Sequence, residues 1–130
     1  MAALISSIEN PVQITGMHGG SGTLFWKCFA RLHMLHTDLV AFEYARLESG
    51  GIIGDHTHTR TEEIYFIVSG HGTMQVDGET RKVGPGDLIL TPRNTTHGIT
   101  TLGSESLEFV VAEVFPPEVQ AAMPQYKPDA

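Results

Sequence analysis

The sequence predicts an all-β fold, a sandwich or barrel of about nine short strands, and two observations support this prediction. From Leu24 onward the chain is a succession of short apolar runs, several of which alternate in polarity or carry β-branched and aromatic residues, as strands do. Turn-forming residues separate the runs. Asp77-Gly78 is a strong signal for a two-residue hairpin, and Gly84-Pro85-Gly86 supplies fixed and positive φ angles.

The predicted strands fill the middle of a single domain, residues 1–130. Residues 1–23 are interpreted as an N-terminal arm that ends in a Gly-rich loop, and residues 24–115 as the core barrel. Residues 116–130 form a C-terminal tail, in which Pro116-Pro117 introduces one or two helical turns through Glu118–Met123. The predicted strands are Leu24–Arg31, Leu39–Leu47, Ile52–His58, Glu63–Val68, Thr73–Val76, Thr80–Val83, Asp87–Thr91, Thr96–Thr101 and Leu107–Phe115.

Composition and charge limit the classes of partner. Hydrophobic residues make up 41% of the chain and charged residues 18%, which is a globular composition. The formal net charge is -7 and no long basic run is present, so neither nucleic acid nor an anionic membrane is an expected partner. Met1–Ile5 lacks the features of a signal peptide, no apolar run reaches membrane-spanning length, and Cys28 is the single cysteine. We therefore expect a soluble cytoplasmic protein.

Histidines and a glutamate form a candidate metal site. In a strand, residues i and i+2 project from the same face, so the imidazoles of His56 and His58 can face one ion. Glu63 opens the next predicted strand, and pairing of the two strands brings its carboxylate beside the imidazoles. His97, from a distant strand, supplies a third nitrogen. Taken singly, strand histidines are more often surface or hydrogen-bonded residues than ligands.

The spacing of these residues resembles the two sequence motifs of the cupin superfamily. The segment Gly50-x5-His56-x-His58-x4-Glu63-x6-Gly70 is similar to the first motif at every position. The segment Gly86-x5-Pro92-x-Asn94-x2-His97-x3-Thr101 is similar to the second, with Asn94 in place of a glycine and Thr101 in place of an asparagine. The two motifs lie fifteen residues apart, which is usual for compact bacterial members.

Resemblance to the cupins implies an antiparallel jelly-roll barrel, or double-stranded β-helix, with one divalent transition metal near its centre. The family's ligands map onto His56, His58, Glu63 and His97. We prefer Glu63 to the adjacent Glu62 because it has the motif spacing to Gly70 and the inward parity of its strand. Asn94 is expected to adopt a positive φ, since asparagine is the best substitute for glycine there.

Three further residues are candidates for the pocket around the metal. Tyr44 and Tyr65 either line the pocket or belong to the ordinary core. Arg46 shares the parity of Tyr44. If that face points inward, Arg46 is a buried cation that clamps a substrate anion, and if it points outward, it is a surface arginine. The remaining histidines are interpreted as surface residues: His18, His33, His36 and His71.

Three imidazoles and one carboxylate suit iron, manganese, cobalt, nickel, copper or zinc, and affinity order alone selects none of them. Such a site keeps positions open for a small oxygenated substrate, which predicts an enzyme. The enzyme is either a Lewis-acid isomerase, lyase or polyketide-cyclase-like protein, or a dioxygenase. The alternative is a non-catalytic small-ligand-binding or sensor domain. The resemblance also implies a homodimer.

Overall fold

Ten strands and one short helix make up the residues that the computed structural model describes, 7–31 and 39–122. A single 3₁₀ turn, Met17–Gly19, follows the first strand. The helix α1 spans Pro117–Ala122. The strands are β1 Val12–Thr15, β2 Thr23–Arg31, β3 Leu39–Leu47, β4 Ile52–Thr57, β5 Glu62–Ser69, β6 His71–Val76, β7 Glu79–Val83, β8 Leu88–Thr91, β9 Thr96–Leu102 and β10 Leu107–Val114.

The strands form two antiparallel sheets. The larger sheet has the order β1-β2-β3-β10-β5-β8, and the smaller has the order β4-β9-β6-β7. One buried cluster joins their inner faces, with Leu47 and Ile67 from the larger sheet packed with Met74 and Ile99 from the smaller. This is the jelly-roll barrel that the sequence predicts.

The nine predicted strands correspond to β2 through β10, with ends that differ by at most two residues. The turn chemistry agrees as well, because Asp77 and Gly78 both have positive φ, at 48° and 81°, as a tight hairpin requires. The short helix begins at Pro117, inside the predicted tail. Residues 123–130 of that tail lie outside the described residues.

The segment before Leu24, which we interpret as an N-terminal arm, contains a strand that the sequence analysis does not predict. Val12–Thr15 forms strand β1, which pairs with β2 and adds a sixth strand to the larger sheet. The chain folds back between the two strands through Gly16 and Gly22, which have φ of 66° and 79° and join through a Gly16 N–H to Gly22 carbonyl hydrogen bond. The alternation of Val12 and Ile14 with polar residues was the signal for this strand.

The interior has an apolar end and a polar end. The apolar end, defined by Leu24, Leu47, Ile67 and Leu107, is 0 to 2% exposed and supplies the core of the barrel. At the polar end, the larger sheet carries inward carboxylates, and the smaller sheet carries imidazoles. In the described ranges no helix is long and apolar enough to cross a bilayer.

Candidate metal centre

Both sheets contribute to the cluster at the polar end of the barrel. His56 on β4 lies directly opposite His97 on β9, and His58 is the first residue after β4. Glu63, near the start of β5 in the other sheet, faces them across the barrel. One ligand atom from each of these four side chains lies within 4.8 Å of the others. The structure therefore brings together the four residues that the two motifs indicate.

The distances within the cluster fit a metal ion. The Oε1 atom of Glu63 lies 2.9 Å from Nε2 of His58 and 3.0 Å from Nε2 of His97. Two donors that bind one ion at about 2.1 Å each, at right angles, lie about 3.0 Å apart. The two separations from Oε1 of Glu63 therefore match those of neighbouring donors on one shared ion.

Neighbouring groups orient two of the three imidazole rings. Nδ1 of His56 lies 2.9 Å from the Gly54 carbonyl, so that its N–H donates to this oxygen and Nε2 keeps its lone pair. Nδ1 of His58 lies 3.5 Å from Oε1 of Glu113. The third ring differs, because Nδ1 of His97 is buried without a hydrogen-bond partner in the described part of the chain.

The carboxylates supply a second argument for a cation. Glu113 on β10 lies directly opposite Glu63 on β5, and both side chains face the interior, with 16% and 6% exposure. Like charges in directly opposed strand positions destabilise a sheet unless something neutralises them. His58 lies between the two carboxylates, and a divalent ion held by Glu63 would add positive charge at the same place.

The electrostatic environment prepares the ligands for metal. Burial raises the pKa of Glu63, but hydrogen bonds from His58 and His97 outweigh it and bring the pKa to about 2. Burial lowers the pKa of His56 to about 4. The hydrogen bond with Glu63 raises the pKa of His58. At neutral pH, Glu63 and His56 are therefore unprotonated, as metal coordination requires, whereas the raised pKa of His58 opposes the loss of its proton on metal binding.

A cavity of about 250 Å³ adjoins the cluster. Trp26, Tyr65 and Phe109 give its wall apolar surface, and Glu43 and Glu113, which lie on strands of the same sheet, add acidic groups to that wall. A space of this size accommodates a small organic molecule beside the metal ligands.

Two of the three pocket candidates point elsewhere. Glu43 and Ala45 line the cavity, so Tyr44 and Arg46, which alternate with them on β3, lie on the outer face of the sheet. The Tyr44 hydroxyl donates to Glu108 over 2.6 Å, and burial raises the pKa of this tyrosine to about 12. The alternative in which Tyr44 and Arg46 point inward is therefore wrong, because the inward positions of β3 are those of Glu43 and Ala45.

Arg46 is not a clamp for a substrate anion. Its Nε pairs with Glu48 at 3.2 Å, and its guanidinium lies 4.5 Å from the centre of the Phe25 ring. Tyr65 is the candidate that does face the cavity. Its hydroxyl approaches Glu63 Oε1 to 3.5 Å, and burial raises the pKa of this tyrosine well above its usual value.

His18 belongs to the site, although the sequence indicates a surface residue. Its ring stacks on that of His56, with centroids 3.8 Å apart and planes 14° from parallel. The close approach depends on Gly54, since a Cβ there would lie 2.1 Å from the His18 carbonyl oxygen. A glycine-rich loop and a ligand strand meet only in three dimensions, so no local pattern signals this contact.

Glu43 and Glu113 are the other cavity residues that sequence reasoning misses. Both lie within largely apolar strands, and only their inward position in the strand distinguishes them from surface glutamates.

The remaining expectations have mixed outcomes. Glu62 and His71 are exposed, as predicted, whereas His33 and His36 lie outside the described residues.

A jelly-roll barrel with three imidazoles and one carboxylate converging at its polar end defines the class of metal-binding cupin barrels. Comparison with known families agrees, because residues 43–113 match the cupin domain model. The chain belongs to the cupin family.

Two of the similar proteins, both from Thermotoga maritima, match most of this chain. The chain is 30% identical over 105 residues to the oxalate-binding protein of Thermotoga maritima, covering 81% of this chain and 87% of the relative. A crystal structure of a predicted oxalate decarboxylase from Thermotoga maritima superposes with a TM-score of 0.83 at 27% identity, over 88% of this chain and all of that one.

Enzymes are also among the relatives, with shorter matches. The acireductone dioxygenase of Bacillus licheniformis is 38% identical over 66 residues, which cover 47% of this chain and 35% of that enzyme. Because the match spans about a third of the enzyme, it supports the barrel and its motifs rather than the whole activity.

Proposed function

We propose that this protein is a metal-dependent enzyme that acts on a small oxygenated organic molecule chelated by one divalent transition metal. The observation that carries the proposal is the convergence of His56, His58, Glu63 and His97 beside a cavity of about 250 Å³. When bound, the metal supplies Lewis-acid or redox chemistry to the oxygen atoms of the substrate.

The chain's own residues hold and shape this centre. Gly54 and Glu113 orient the rings of His56 and His58, which fixes the nitrogen that each presents to the ion. Trp26, Tyr65 and Phe109 form an apolar wall that excludes water from one side of a bound molecule. Glu43, which accepts a hydrogen bond from Trp26 on the same wall, offers a further acceptor for a substrate hydroxyl.

The non-catalytic binding domain is the second candidate. It is favoured by the relative that matches over 81% of this chain, because that protein is named for binding oxalate rather than for turning it over. Redox-neutral isomerase, lyase or cyclase chemistry and dioxygenase chemistry are the two forms of the enzymatic proposal.

One experiment separates these functions. Elemental analysis of untagged protein identifies the metal, and the loaded protein is then incubated with diketones, hydroxyketones and carboxylates, with and without O₂. Oxygen uptake coupled to product supports a dioxygenase, and anaerobic turnover supports Lewis-acid catalysis. Tight binding of one compound without turnover of any supports the binding domain. The His56→Ala variant should abolish every effect, and His71→Ala, at an exposed position outside the cluster, should abolish none.

We also propose that the protein is a homodimer. The supporting observation is two apolar rows across the outer face of the larger sheet. In one row Phe42, Ala112, Ile64 and Leu90 oppose one another in register, and in the next Tyr44, Val110, Phe66 and Leu88 do so. The exposed fractions of Phe66, Leu88 and Leu90 are 42, 56 and 59%. A second copy with the same face covers both rows in a twofold interface.

Sedimentation equilibrium tests the dimer. Phe66→Glu should give a folded monomer, whereas Ile52→Glu, on the smaller sheet and 39% exposed, should leave the dimer intact. A wild-type protein that sediments as a monomer contradicts the proposal.

We also propose a reducing, cytoplasmic location. The free thiol of Cys28 supports this proposal.

A further inference from the structure

Two carboxylates beyond the candidate metal ligand face the cavity, and each is held by a neutral donor. The indole Nε1–H of Trp26 donates to Oε2 of Glu43 over 2.5 Å. The hydroxyl of Thr61 donates to Oε1 of Glu113 over 2.7 Å. A carboxylate offers about four acceptor positions. Because Trp26 uses one of those on Glu43, the side chain is fixed in place and retains acceptor capacity towards the cavity.

The strand geometry places this acidic wall beside the metal ligands. Trp26 lies opposite Ala45 on the neighbouring strand, so Glu43, two residues before Ala45, is its diagonal neighbour on the same face. Glu113 is directly opposite Glu63. The pKa of Glu43 is raised overall, mainly by burial and further by the charges of Glu113 and Glu63, and the hydrogen bond from Trp26 offsets only part of this increase.

Cationic side chains are missing from the described part of the cavity wall. None of the described residues that line it is Lys or Arg. Arg46, which the sequence offers as an anion clamp, pairs with Glu48 on the outer face. A bound dianion would therefore meet two carboxylates in addition to Glu63, with no arginine or lysine of the described wall to offset them.

Charge and hydrogen bonding favour a different class of ligand. Like charges placed close together in a binding site oppose binding. An uncharged chelator that carries hydroxyl groups is not repelled by the carboxylates. Its O–H groups can instead donate charge-assisted hydrogen bonds to Glu43.

We propose that Glu43 and Glu113 make the site selective for uncharged, hydroxyl-bearing chelators, such as α-hydroxyketones and enediols, and against oxalate and other small dianions. Glu43 is the specificity-determining residue that accepts a hydrogen bond from the substrate hydroxyl. The inference rests on the proposed function, since it names the substrate class of the same site. The proposed substrate class therefore differs from oxalate, the ligand for which the Thermotoga maritima relative is named.

The test uses full-length protein loaded with Co²⁺, whose visible absorption reports ligand binding at the metal. The probes are oxalate and dihydroxyacetone, titrated separately into wild type and Glu43→Gln. Glutamine keeps the shape of the side chain and an oxygen that accepts from Trp26, but removes the charge. Glu113→Gln is a second variant, and Glu108→Gln is the matched control, because Glu108 accepts from Tyr44 on the outer face.

Opposite shifts in one variant are the expected result. Glu43→Gln should bind oxalate at least about tenfold more tightly than wild type, because one like charge is removed, and dihydroxyacetone about threefold or more weakly. Glu113→Gln should also strengthen oxalate binding. Glu108→Gln should change neither affinity by more than about twofold.

A structural disturbance would move both affinities in the same direction. If Glu43→Gln and Glu113→Gln leave both affinities unchanged, or shift them together, the charge proposal is wrong, while the metal-chelating function stands. If neither probe alters the spectrum of the Co²⁺-loaded wild type, the proposed function itself fails, and the selectivity proposal falls with it.

Discussion

Strand β5 passes through both ends of the barrel interior, and its inward residues change character along the way. Ile67, at the apolar end, is 0% exposed and packs in the hydrophobic cluster, whereas Glu63, four residues earlier on the same face, sits among imidazoles and a second carboxylate. Burial of apolar surface stabilises the first end without specific partners. The second end depends on hydrogen bonds to make buried charge tolerable, and the metal that we propose would add a cation there. Stability and function are thus separated along one strand.

The largest expected effect lies at the apolar end. Ile67→Ala should lower the free energy of unfolding of the metal-free protein by about 2–5 kcal/mol, because it leaves a cavity among Leu47, Leu107 and their neighbours. Metal affinity should change little, since Ile67 lies four residues from Glu63 along β5, at the apolar end of the interior. Denaturant titration and metal titration of the same variant measure both quantities. A large loss of metal affinity together with unchanged stability would show that the two ends are not separate.

At the polar end, stability should depend on metal. Metal at one hundred times its dissociation constant should raise the free energy of unfolding by about 2.7 kcal/mol. This increment, and the bound metal, should disappear when alanine replaces any one of the proposed ligands: His56, His58, Glu63 or His97. Elemental analysis and denaturation with and without metal measure the effect.

The control for that prediction is a histidine outside the cluster. His71 is exposed at the start of β6, so His71→Ala should keep full metal content. His33→Ala is expected to do the same from the sequence motifs, although that residue lies outside the described part of the structure. If His97→Ala keeps its metal while His71→Ala loses it, the ligands are assigned wrongly.

The two ends also differ in how far the sequence predicts them. Alternation and turn residues predict β2 through β10, because strand period and hairpin chemistry are local properties. Motif spacing identifies the four clustered side chains, although two sheets contribute them. The parity of β3 was ambiguous, since Phe42, Tyr44 and Arg46 on one face and Glu43 and Ala45 on the other both contain polar and apolar groups.

That ambiguity explains which residues were missed. By hydrophobicity, Tyr44 is expected inside the barrel and Glu43 outside. The proposed metal site reverses this preference, because it favours carboxylates in the interior at this end. Tyr44 is instead buried on the outer face of the sheet, where its hydroxyl donates to Glu108. His18 could be found only from the fold, because it reaches His56 through the turn between β1 and β2. Sequence patterns assume an apolar interior, and they fail where the interior carries charge.

A smaller effect follows from the pKa of His56. In the folded metal-free protein, burial holds the pKa of His56 near 4, below its ordinary value of 6.5. The unfolded chain therefore binds more protons between these values, and stability should fall as the pH drops from 6.5 towards 4. The raised pKa of His58 acts in the opposite direction, since its contribution is present below 6.5 and is lost as the pH rises through the folded value.

Glu63 adds a third contribution at lower pH. Its pKa of about 2 lies below its ordinary 4.5, so its contribution to stability is present above 4.5 and is lost as the pH falls towards 2. Unfolding of metal-free His56→Gln should accordingly depend less on pH between 6.5 and 4 than that of wild type, with His71→Gln as control. Equal slopes for wild type and His56→Gln would show that His56 is not buried as the structure places it.

The smallest expected effect tests the turn that carries the second motif. Asn94 has a φ of 69°, the left-handed conformation that its place in the motif predicts, and its N–H donates to the carbonyl of His58 over 2.8 Å. A β-branched side chain is strained in this conformation, so Asn94→Val should lower the free energy of unfolding by about 1–2 kcal/mol, whereas Asn94→Gly should be nearly neutral. Because the hydrogen bond fixes the backbone of a proposed ligand, Asn94→Val should also weaken metal binding, which Ile67→Ala should not. An Asn94→Val variant with the wild-type denaturation midpoint and metal affinity would show that this turn does not support the polar end.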